Sequence, residues 1–399
     1  MGNSSAPYPP RFGVTQVKDW AAMPDDEFRA FIRAELDAAY PEHLRHVQHR
    51  LLWSEQRDFY LEMARRGWIA PAWPAEFGGM GLDPAKLLIF IEEQERLGIA
   101  RFQDHGIRMI GPALIQHGTP AQQERFLPPI LSCEHRYCQG YSEPGAGSDL
   151  ASLRTTAQRA EGGWIVRGTK IWTTMAYDVT HMFLLAKTGA EGPAQTQISF
   201  FLLDLSTPGI TIRKIRDIAG EDELSEVFLD GVPIPEENLV GGVNRGWTVA
   251  KSVLGFERIH VGSPQLPESG LHMLAKVAEA RGLLDEPSFR DRFAALRLDV
   301  DHLAIVYGNF FAQLQQGEKL GPDVSLLKIW ATETYQRIAD LVIEIAGPAG
   351  GAAGLVQAAP PELSVTGTYY RARPSTIYGG SSEVQRNIIA KRILKLPAQ

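Results

Sequence analysis

The sequence predicts an α+β protein: a run of helices, a small antiparallel β domain, then a second run of helices. Two observations carry this. Apolar residues recur at helical spacing up to about residue 132 and again from Gly246 onward. Between them lie short runs rich in Phe, Ile, Leu and Val, separated by turn residues. The expected domains are 1–133, 134–240 and 241–399. At 399 residues the chain is too long for one ordinary core, which agrees with this division.

In the first third, Pro24 opens a helical turn whose Asp25, Asp26 and Glu27 suit the positive end of a helix. Phe28, Phe31, Ile32 and Leu36 then share a face. A second helix is expected over roughly Ser54 to Arg66, stopped by Gly67. Trp73 to Gly79 reads as an irregular connector, and Asp83-Pro84 starts a helix through about Leu97. Thr119-Pro120-Ala121-Gln122 is a capping box with proline at the first helical position. Its helix is expected to end before Pro128-Pro129.

The middle third changes period. Trp164 to Trp172 reads as a strand pair around Arg167-Gly168. His181 to Lys187, Ile198 to Leu205, Ile210 to Ile215 and Glu226 to Leu229 read as further strands, and Pro233 and Pro235 close the domain. Helices follow from about Trp247, from about Phe289 to Gln316 and from about Val324 to Ala346. The Gly/Ala/Pro-rich Gly347 to Pro361 reads as a loop, and a last helix follows Gly379-Gly380-Ser381-Ser382 to near Leu394.

Composition bounds the function. A chain 44% hydrophobic and 22% charged is of the soluble globular kind. A net charge of −7 leaves no basic footprint for nucleic acid. No apolar run is long enough to span a membrane. Cys133 and Cys138 make no CxxC pair and have no metal-ligand spacing around them, so no metal site is expected and reduced thiols in a cytoplasmic protein are the simplest account. Met1 to Ala6 lacks an apolar signal segment, and residues 1 to about 20 read as a loosely ordered lead-in.

Two stretches carry chemistry. Tyr137 to Asp149 starts as a strand-like run and breaks at Pro144, Gly145 and Gly147. Such a loop offers backbone N–H groups and the hydroxyls of Ser142 and Ser148 to a polar ring edge or a phosphate. Lys170-Ile171-Trp172-Thr173-Thr174 then supplies a flat indole followed by two hydroxyls, suited to stacking on a planar ring and bonding its edge. Taken singly, the first reads more simply as an ordinary β-turn and the second as a core tryptophan.

Together, and in this order, they resemble the flavin-binding segment of the acyl-CoA dehydrogenase family. Tyr141 to Asp149 matches that family's most distinctive motif, Trp172-Thr173-Thr174 its second flavin contact, and Tyr378 to Arg386 its C-terminal flavin motif. Pro128-Pro129-Ile130 precedes the β domain as it does in the family, and the likeness covers nearly the whole chain. The resemblance implies a C-terminal four-helix-bundle domain and an FAD cofactor. It places Gln139, Tyr141, Ser142, Gly147, Ser148, Trp172, Thr173, Thr174, Ser381 and Glu383 against FAD, with Ser148 also approaching the acyl-CoA. Arg281 falls where a family arginine reaches FAD across a subunit boundary, although Leu283 to Pro287 departs from the usual sequence after it. Ala346 to Gly350 loosely resembles the glycine-rich turn near the neighbouring subunit's FAD.

The reaction so implied needs a carboxylate in a dry site, its pKa raised by burial so that it accepts a proton near neutral pH. Many members place this glutamate where this chain has Gly379. A second family placement lies on the first helix after the β domain, where this chain has Glu257. Trp247, Ala250, Leu254, Glu257 and Val261, spaced 3, 4, 3 and 4 apart, share one helical face, so Glu257 is a carboxylate on an apolar stripe. Pairing with an arginine, or an interface position, is the alternative for it. Arg258 matches a family arginine near CoA and the pocket wall, with a surface salt bridge as its alternative. Arg371 and Arg373 form a basic pair that reads as a solvated loop, His260 reads as structural, and Glu143 as a holder of backbone; His105 and His117 have no partners recognisable in the sequence.

The resemblance therefore implies dehydrogenation of an acyl-CoA to a trans-2-enoyl-CoA, with electrons passed to an electron-transfer flavoprotein. The form of the motifs is similar to a bacterial subgroup acting on steroid side chains, dicarboxylates or aryl acids. Its oligomer would be a homodimer, a homotetramer or an α2β2 heterotetramer. An acyl-CoA oxidase or flavin monooxygenase on the same fold is the enzyme alternative. A non-catalytic subunit of a heteromer, motivated by Gly379, is the other.

Overall fold

The computed structural model describes residues 19–45, 47, 50–99, 105–315, 320–351 and 365–397; the side chains of residues 254–260, 311, 314–315 and 349 lie outside that description. The expected lead-in before residue 19 and residues 352–361 of the expected loop also lie outside it. The chain forms two compact units. One holds residues up to Asp217 together with Glu221–Leu254, and the other holds Gly255–Gln399 together with Ile218–Gly220.

The first unit opens with helices α1 (Asp25–Ala39), α2 (Trp53–Arg65), α3 (Pro84–Arg96), α4 (Gly111–His117) and α5 (Pro120–Leu131). The helical face read from spacing is the buried one: Phe28, Ile32 and Leu36 are fully buried. Gly67, at φ 72°, follows α2 in the left-handed conformation that glycine adopts without strain. Asp83 caps α3 by accepting the Lys86 N–H. Thr119 Oγ1 accepts the Gln122 N–H at 3.2 Å, and Gln122 Oε1 accepts the Thr119 N–H at 3.0 Å, a capping box of about 1 kcal/mol.

Helix α5 does not stop before Pro128-Pro129 but runs through both. Each proline removes an intrahelical donor, yet Phe126, Leu127 and Ile130 are buried by keeping the helix going, and the Pro128 and Pro129 carbonyls still accept the Ser132 and His135 N–H groups.

The same unit contains an eight-stranded sheet: β1 (Tyr137–Gly140), β2 (Thr156–Ala160), β3 (Gly163–Thr174), β4 (His181–Lys187), β5 (Ile198–Asp204), β6 (Ile210–Ile215), β7 (Leu224–Pro235) and β8 (Leu239–Val240). The strand order is β6-β7-β3-β2-β4-β5-β8, with β1 paired to β4. The sheet is mostly antiparallel, as expected, with β1 and β2 each also pairing with β4 in parallel. The alternating residues of β4 explain its uninterrupted apolar run. Phe183 and Leu185 join the helical core, whereas Met182, Leu184 and Ala186 join a second core with Trp164, Val166, Phe201 and Val227.

Two further expectations change. Trp164 to Trp172 is one strand, not a pair: the turn lies earlier, at Glu161-Gly162, and β3 continues past Arg167-Gly168 through a bulge. Gly168 is required there by close approach, since a Cβ would stand 2.3 Å from Thr155 Oγ1. Pro233 lies inside β7 instead of ending the domain; its partner is Ile165 of β3, and β6 pairs with β7 only as far as Leu229, so no ladder bond needs the missing N–H.

Helix α6 (Gly246–Val261) crosses from the first unit into the second, burying Val249, Ala250 and Val253 in the helical core of the first. In the second unit, α9 (Ser325–Ala346) packs against α7 (Gln265–Ala280), α8 (Pro287–Gln315), α10 (Val365–Ala372) and α11 (Ser382–Arg392). Leu274, Val300, Ile338 and Val342 are fully buried at its centre. Gly347–Gly351 is a 3-10 turn in place of the start of the expected loop.

Candidate functional site

Strand β1 lies beside β4 with Gln139 opposite Phe183 and Gly140 opposite Leu184, so the chain leaves the sheet at Tyr141. The Tyr141 ring is buried, edge-on to Phe183 at 5.5 Å and to Phe200 at 6.4 Å, so it offers its backbone to a ligand and not its face. Glu143 and Ala146 exchange both backbone hydrogen bonds, at 2.9 and 3.0 Å, which makes the turn expected from Pro144 and Gly145. Gly147 and Ser148 are exposed, and a Cβ at Gly147 would meet nothing within 4 Å.

The loop is tied to β3 at its root. The Ile171 N–H donates to the Ser142 carbonyl at 2.9 Å. Lys170 Nζ donates to Glu143 Oε1 at 2.8 Å, to the Leu185 carbonyl at 2.8 Å and to the Tyr141 carbonyl at 3.3 Å. The Glu143 carboxylate also accepts the Arg154 N–H at 2.6 Å and the Thr155 N–H at 3.0 Å, so it holds backbone, as its sequence context implied. Burial pushes Lys170 down to about 8, against the pull of the Glu143 charge. Burial also opposes the charge on Glu143, but the Lys170 ammonium and the hydrogen bonds it accepts hold its carboxyl below the usual range.

Beyond this tie, β3 bulges between Lys170 and Thr173. Trp172 takes a left-handed backbone, φ 60°, and its indole is 56% exposed. A non-glycine residue in that conformation costs about 1–3 kcal/mol, so the fold spends stability to keep a large aromatic face in solvent. Thr174 is half-buried beside it. Thr173 is buried, and its hydroxyl has no hydrogen-bond partner among the described residues.

An FAD fits what these residues present. An open indole, a loop whose Gly147 and Ser148 face solvent, and the half-buried Ser142 and Thr174 hydroxyls sit on one bonded frame. His105, which sequence reasoning left without a partner, stands edge-on to Phe183 at 6.3 Å, opposite Gln139 across the ladder. Burial, with Arg108 and Arg50, lowers its pKa to about 3, so it is a neutral imidazole with one donor and one acceptor. His117 Nε2 pairs with Ser252 Oγ at 2.7 Å.

In the second unit, Gly379 and Gly380 have φ of 65° and 86°. The Gln385 amide, buried beneath them, donates to both carbonyls at 3.1 and 3.3 Å. Ser381 caps α11 by accepting the Val384 N–H, and Glu383 is exposed in the first turn. Arg281 is exposed at the end of α7, and a Cβ at Gly347 would stand 3.3 Å from its guanidinium, so the expected arginine and the expected glycine turn do come together. The solvated-loop reading of Arg371 and Arg373 is corrected. Arg371 lies on α10, and Arg373 bonds the Gln336 and Tyr369 carbonyls and Asp340. Glu257, Arg258 and His260 lie on α6, and their side chains are outside the described residues.

The chain is thus a helical, β and helical protein with an exposed indole and half-buried hydroxyls together on its sheet. Comparison with known proteins specifies it. The acyl-CoA dehydrogenase N-terminal, middle and C-terminal domains match residues 21–134, 138–232 and 244–394. Acyl-CoA dehydrogenase IpdE1 of Mycolicibacterium smegmatis is 34% identical over 358 residues, 86% of this chain and 89% of that protein. Acyl-CoA dehydrogenase FadE34 of Mycobacterium tuberculosis is 36% identical over 339 residues, 84% of this chain; the match spans 45% of that longer relative. Among solved structures, "Tcur3481-Tcur3483 steroid ACAD" superposes with a TM-score of 0.84 at 27% identity, covering 96% of this chain and all of that one. The ChsE4-ChsE5 complex from Mycobacterium tuberculosis gives 0.80 at 28% identity, covering 96% and 100%. The chain belongs to the acyl-CoA dehydrogenase family, a family of oxidoreductases. Among the described residues no helix is long and apolar enough to cross a membrane.

Proposed function

We propose that the protein dehydrogenates an acyl-CoA thioester to its trans-2-enoyl-CoA. The observation that carries this is Trp172, held exposed on a bulge and bonded through Ile171 to the Ser142 loop, in a chain that matches all three family domains. Gln139, the Tyr141 backbone, Ser142, Gly147, Ser148, Trp172, Thr173 and Thr174 would hold FAD, with Arg281, Ser381 and Glu383 as further contacts. When bound, FAD supplies the acceptor for the hydride leaving the β-carbon. Glu257 takes the proton from the α-carbon, because Gly379 has no side chain and α6 carries the alternative carboxylate. Ser148 and Arg258 would meet the CoA ester. The electrons then pass to an electron-transfer flavoprotein in the cytoplasm.

A bulky, steroid-derived acyl group is the substrate class favoured, since a steroid acyl-CoA dehydrogenase is among the similar structures. The same comparisons support a second subunit as partner, because one of those structures is a complex of two named chains. Anaerobic titration with a panel of acyl-CoAs tests the reaction: bleaching of bound flavin that reoxidises slowly in air is expected. Rapid peroxide release would point to an oxidase. Flavin bound only after a related partner is added, with a heteromeric native mass, would make this chain half of a shared site.

A further inference from the structure

We propose that Lys170 is a positioning residue: with Glu143 it forms a buried charged clasp that sets the flavin-binding loop, so cofactor retention depends on this pair being ionised. The inference rests on the flavin reading above.

The geometry is specific. All three protons of the Lys170 ammonium are used, on the Glu143 carboxylate and the Tyr141 and Leu185 carbonyls. The Glu143 carboxylate then takes the N–H groups of Arg154 and Thr155. Two side chains therefore hold both ends of one loop, Tyr141 at its start and Arg154-Thr155 at its close, and fasten them to β4 through Leu185. Between these ends the tip, Gly147, Ser148 and Asp149, is exposed, while Ala146 and Leu153 are buried beneath it. The clasp holds the roots while the tip stays open to a ligand, and the neighbouring Ile171–Ser142 bond carries the same register to Trp172.

Neither charge is stable there alone. Lys170 is fully buried and Glu143 is 7% exposed. An isolated charge in such a place is strongly disfavoured, so losing one partner displaces the other. Glu143 is the ionised group that acts on Lys170; β4 contributes the Leu185 carbonyl, and β7 presents Val227 beside it. If Lys170 loses its proton, one of three bonds goes and Glu143 is left without a countercharge. Burial places that loss near pH 8, well below the ordinary lysine range. The lysine is protonated below this value and the clasp is intact; above it the loop is released while the sheet and helices remain.

Flavin retention by the intact protein tests this, read as released-FAD fluorescence between about pH 7 and about pH 9.5, with far-UV circular dichroism alongside. The unmodified protein is expected to lose affinity by about tenfold across that range with no loss of secondary structure. Lys170→Met is expected to hold FAD about tenfold more weakly at neutral pH and to show no further pH dependence. Lys170→Met combined with Glu143→Gln removes the stranded carboxylate; it is expected to recover melting temperature without recovering FAD affinity, and it stands in if the single variant does not fold. Unchanged affinity in the double variant, or a pH response that persists without Lys170, overturns the clasp. An unmodified protein that takes up no FAD at any pH overturns the flavin reading itself, a different result from FAD bound tightly and without regard to Lys170.

Discussion

The Ser142 carbonyl accepts the Ile171 N–H at 2.9 Å, and this backbone bond, beside the Lys170 bonds to Glu143 and Tyr141, joins the two stretches that carry the chemistry. Ser142 ends the first two residues of the loop leaving β1; Ile171 directly precedes the exposed Trp172. A hydroxyl-bearing loop at Ser142 and an aromatic face at Trp172, 30 positions apart, thus share one backbone frame. A ligand that meets both is bound by groups already fixed relative to each other, so little ordering entropy is lost on binding.

Trp172 itself supplies the first prediction. Its backbone is left-handed and its side chain is exposed. Trp172→Gly removes the strain but adds chain entropy, so apoprotein stability is expected to stay within about 1 kcal/mol of the original. FAD affinity is expected to fall by about tenfold or more, because stacking on the indole is lost. Thermal melts of the apoprotein and flavin titration check both. A large fall in apoprotein stability with unchanged FAD affinity would make the indole a structural group.

Glu257→Gln keeps shape and removes the proton acceptor. Loss of a general base predicts a fall of roughly 10²–10⁴-fold in the rate of anaerobic flavin bleaching, with FAD still bound. Adding Gly379→Glu is expected to restore nothing. Gly379 sits at φ 65°, where a side chain costs about 1 kcal/mol or more, and its carbonyl is held by Gln385. Full activity in Glu257→Gln would remove it from the mechanism, and rescue by Gly379→Glu would show that the glycine position still serves as a base site.

What the sequence made legible was local. The Phe28, Ile32, Leu36 face, the Thr119 capping box and the glycine stop at Gly67 depend on residues a few positions apart, and the structure has them. The misreadings come where long-range packing overrides a local signal. Pro128-Pro129 does not end α5 because Phe126, Leu127 and Ile130 bury more by continuing. Arg167-Gly168 is a bulge within one strand, and the glycine there is required by Thr155, which precedes β2 and lies against it. The site divides the same way. Trp172 and the Ser142 loop are recognisable as motifs, whereas His105 reaches Phe183, 78 positions away, through packing that no local pattern announces. The partners of Arg373 divide likewise: the Tyr369 carbonyl is local, whereas the Gln336 carbonyl and Asp340 are brought to it by helix packing.

Glu93 supplies an acid-stability prediction. It is 1% exposed at the meeting point of α1 and α3 and takes Arg33 at 2.8 and 2.9 Å, Arg96 at 2.8 Å and Arg29 at 3.2 Å. The Arg33 bonds, then those of Arg96 and Arg29, outweigh burial and hold its carboxyl down to about 2. An unfolded glutamate titrates near about 4.3, so the stabilisation is complete above that pH and is lost as pH falls through about 2. Glu93→Gln should lower the urea midpoint at neutral pH by about 0.5 M or more and flatten the acid limb of its pH dependence. An unchanged midpoint would mean the three arginines gain nothing from the carboxylate.

His181 predicts a response at milder acidity. Its ring lies 3.8 Å from that of His135, centre to centre, and its Nδ1 is 2.8 Å from Thr180 Oγ1. Burial first, then the charge of His135 and of Arg136, lowers its pKa to about 4, against the pull of Asp204 across the strand pair. Glu134 and Arg125 act on the neighbouring His135, and the Tyr137 ring lies 5.1 Å from His181. The folded state therefore holds His181 neutral while the unfolded chain takes up a proton below about pH 6.5. Stability is full above that value and declines toward about pH 4, with this one group contributing a slope of up to roughly 1.4 kcal/mol per pH unit. His181→Phe keeps a ring against His135 but cannot be protonated, so urea unfolding free energies measured across this window should fall less steeply than in the unmodified protein. An identical slope in the two proteins would show that His181 takes its proton as readily folded as unfolded, and that the two-histidine pair is not desolvated.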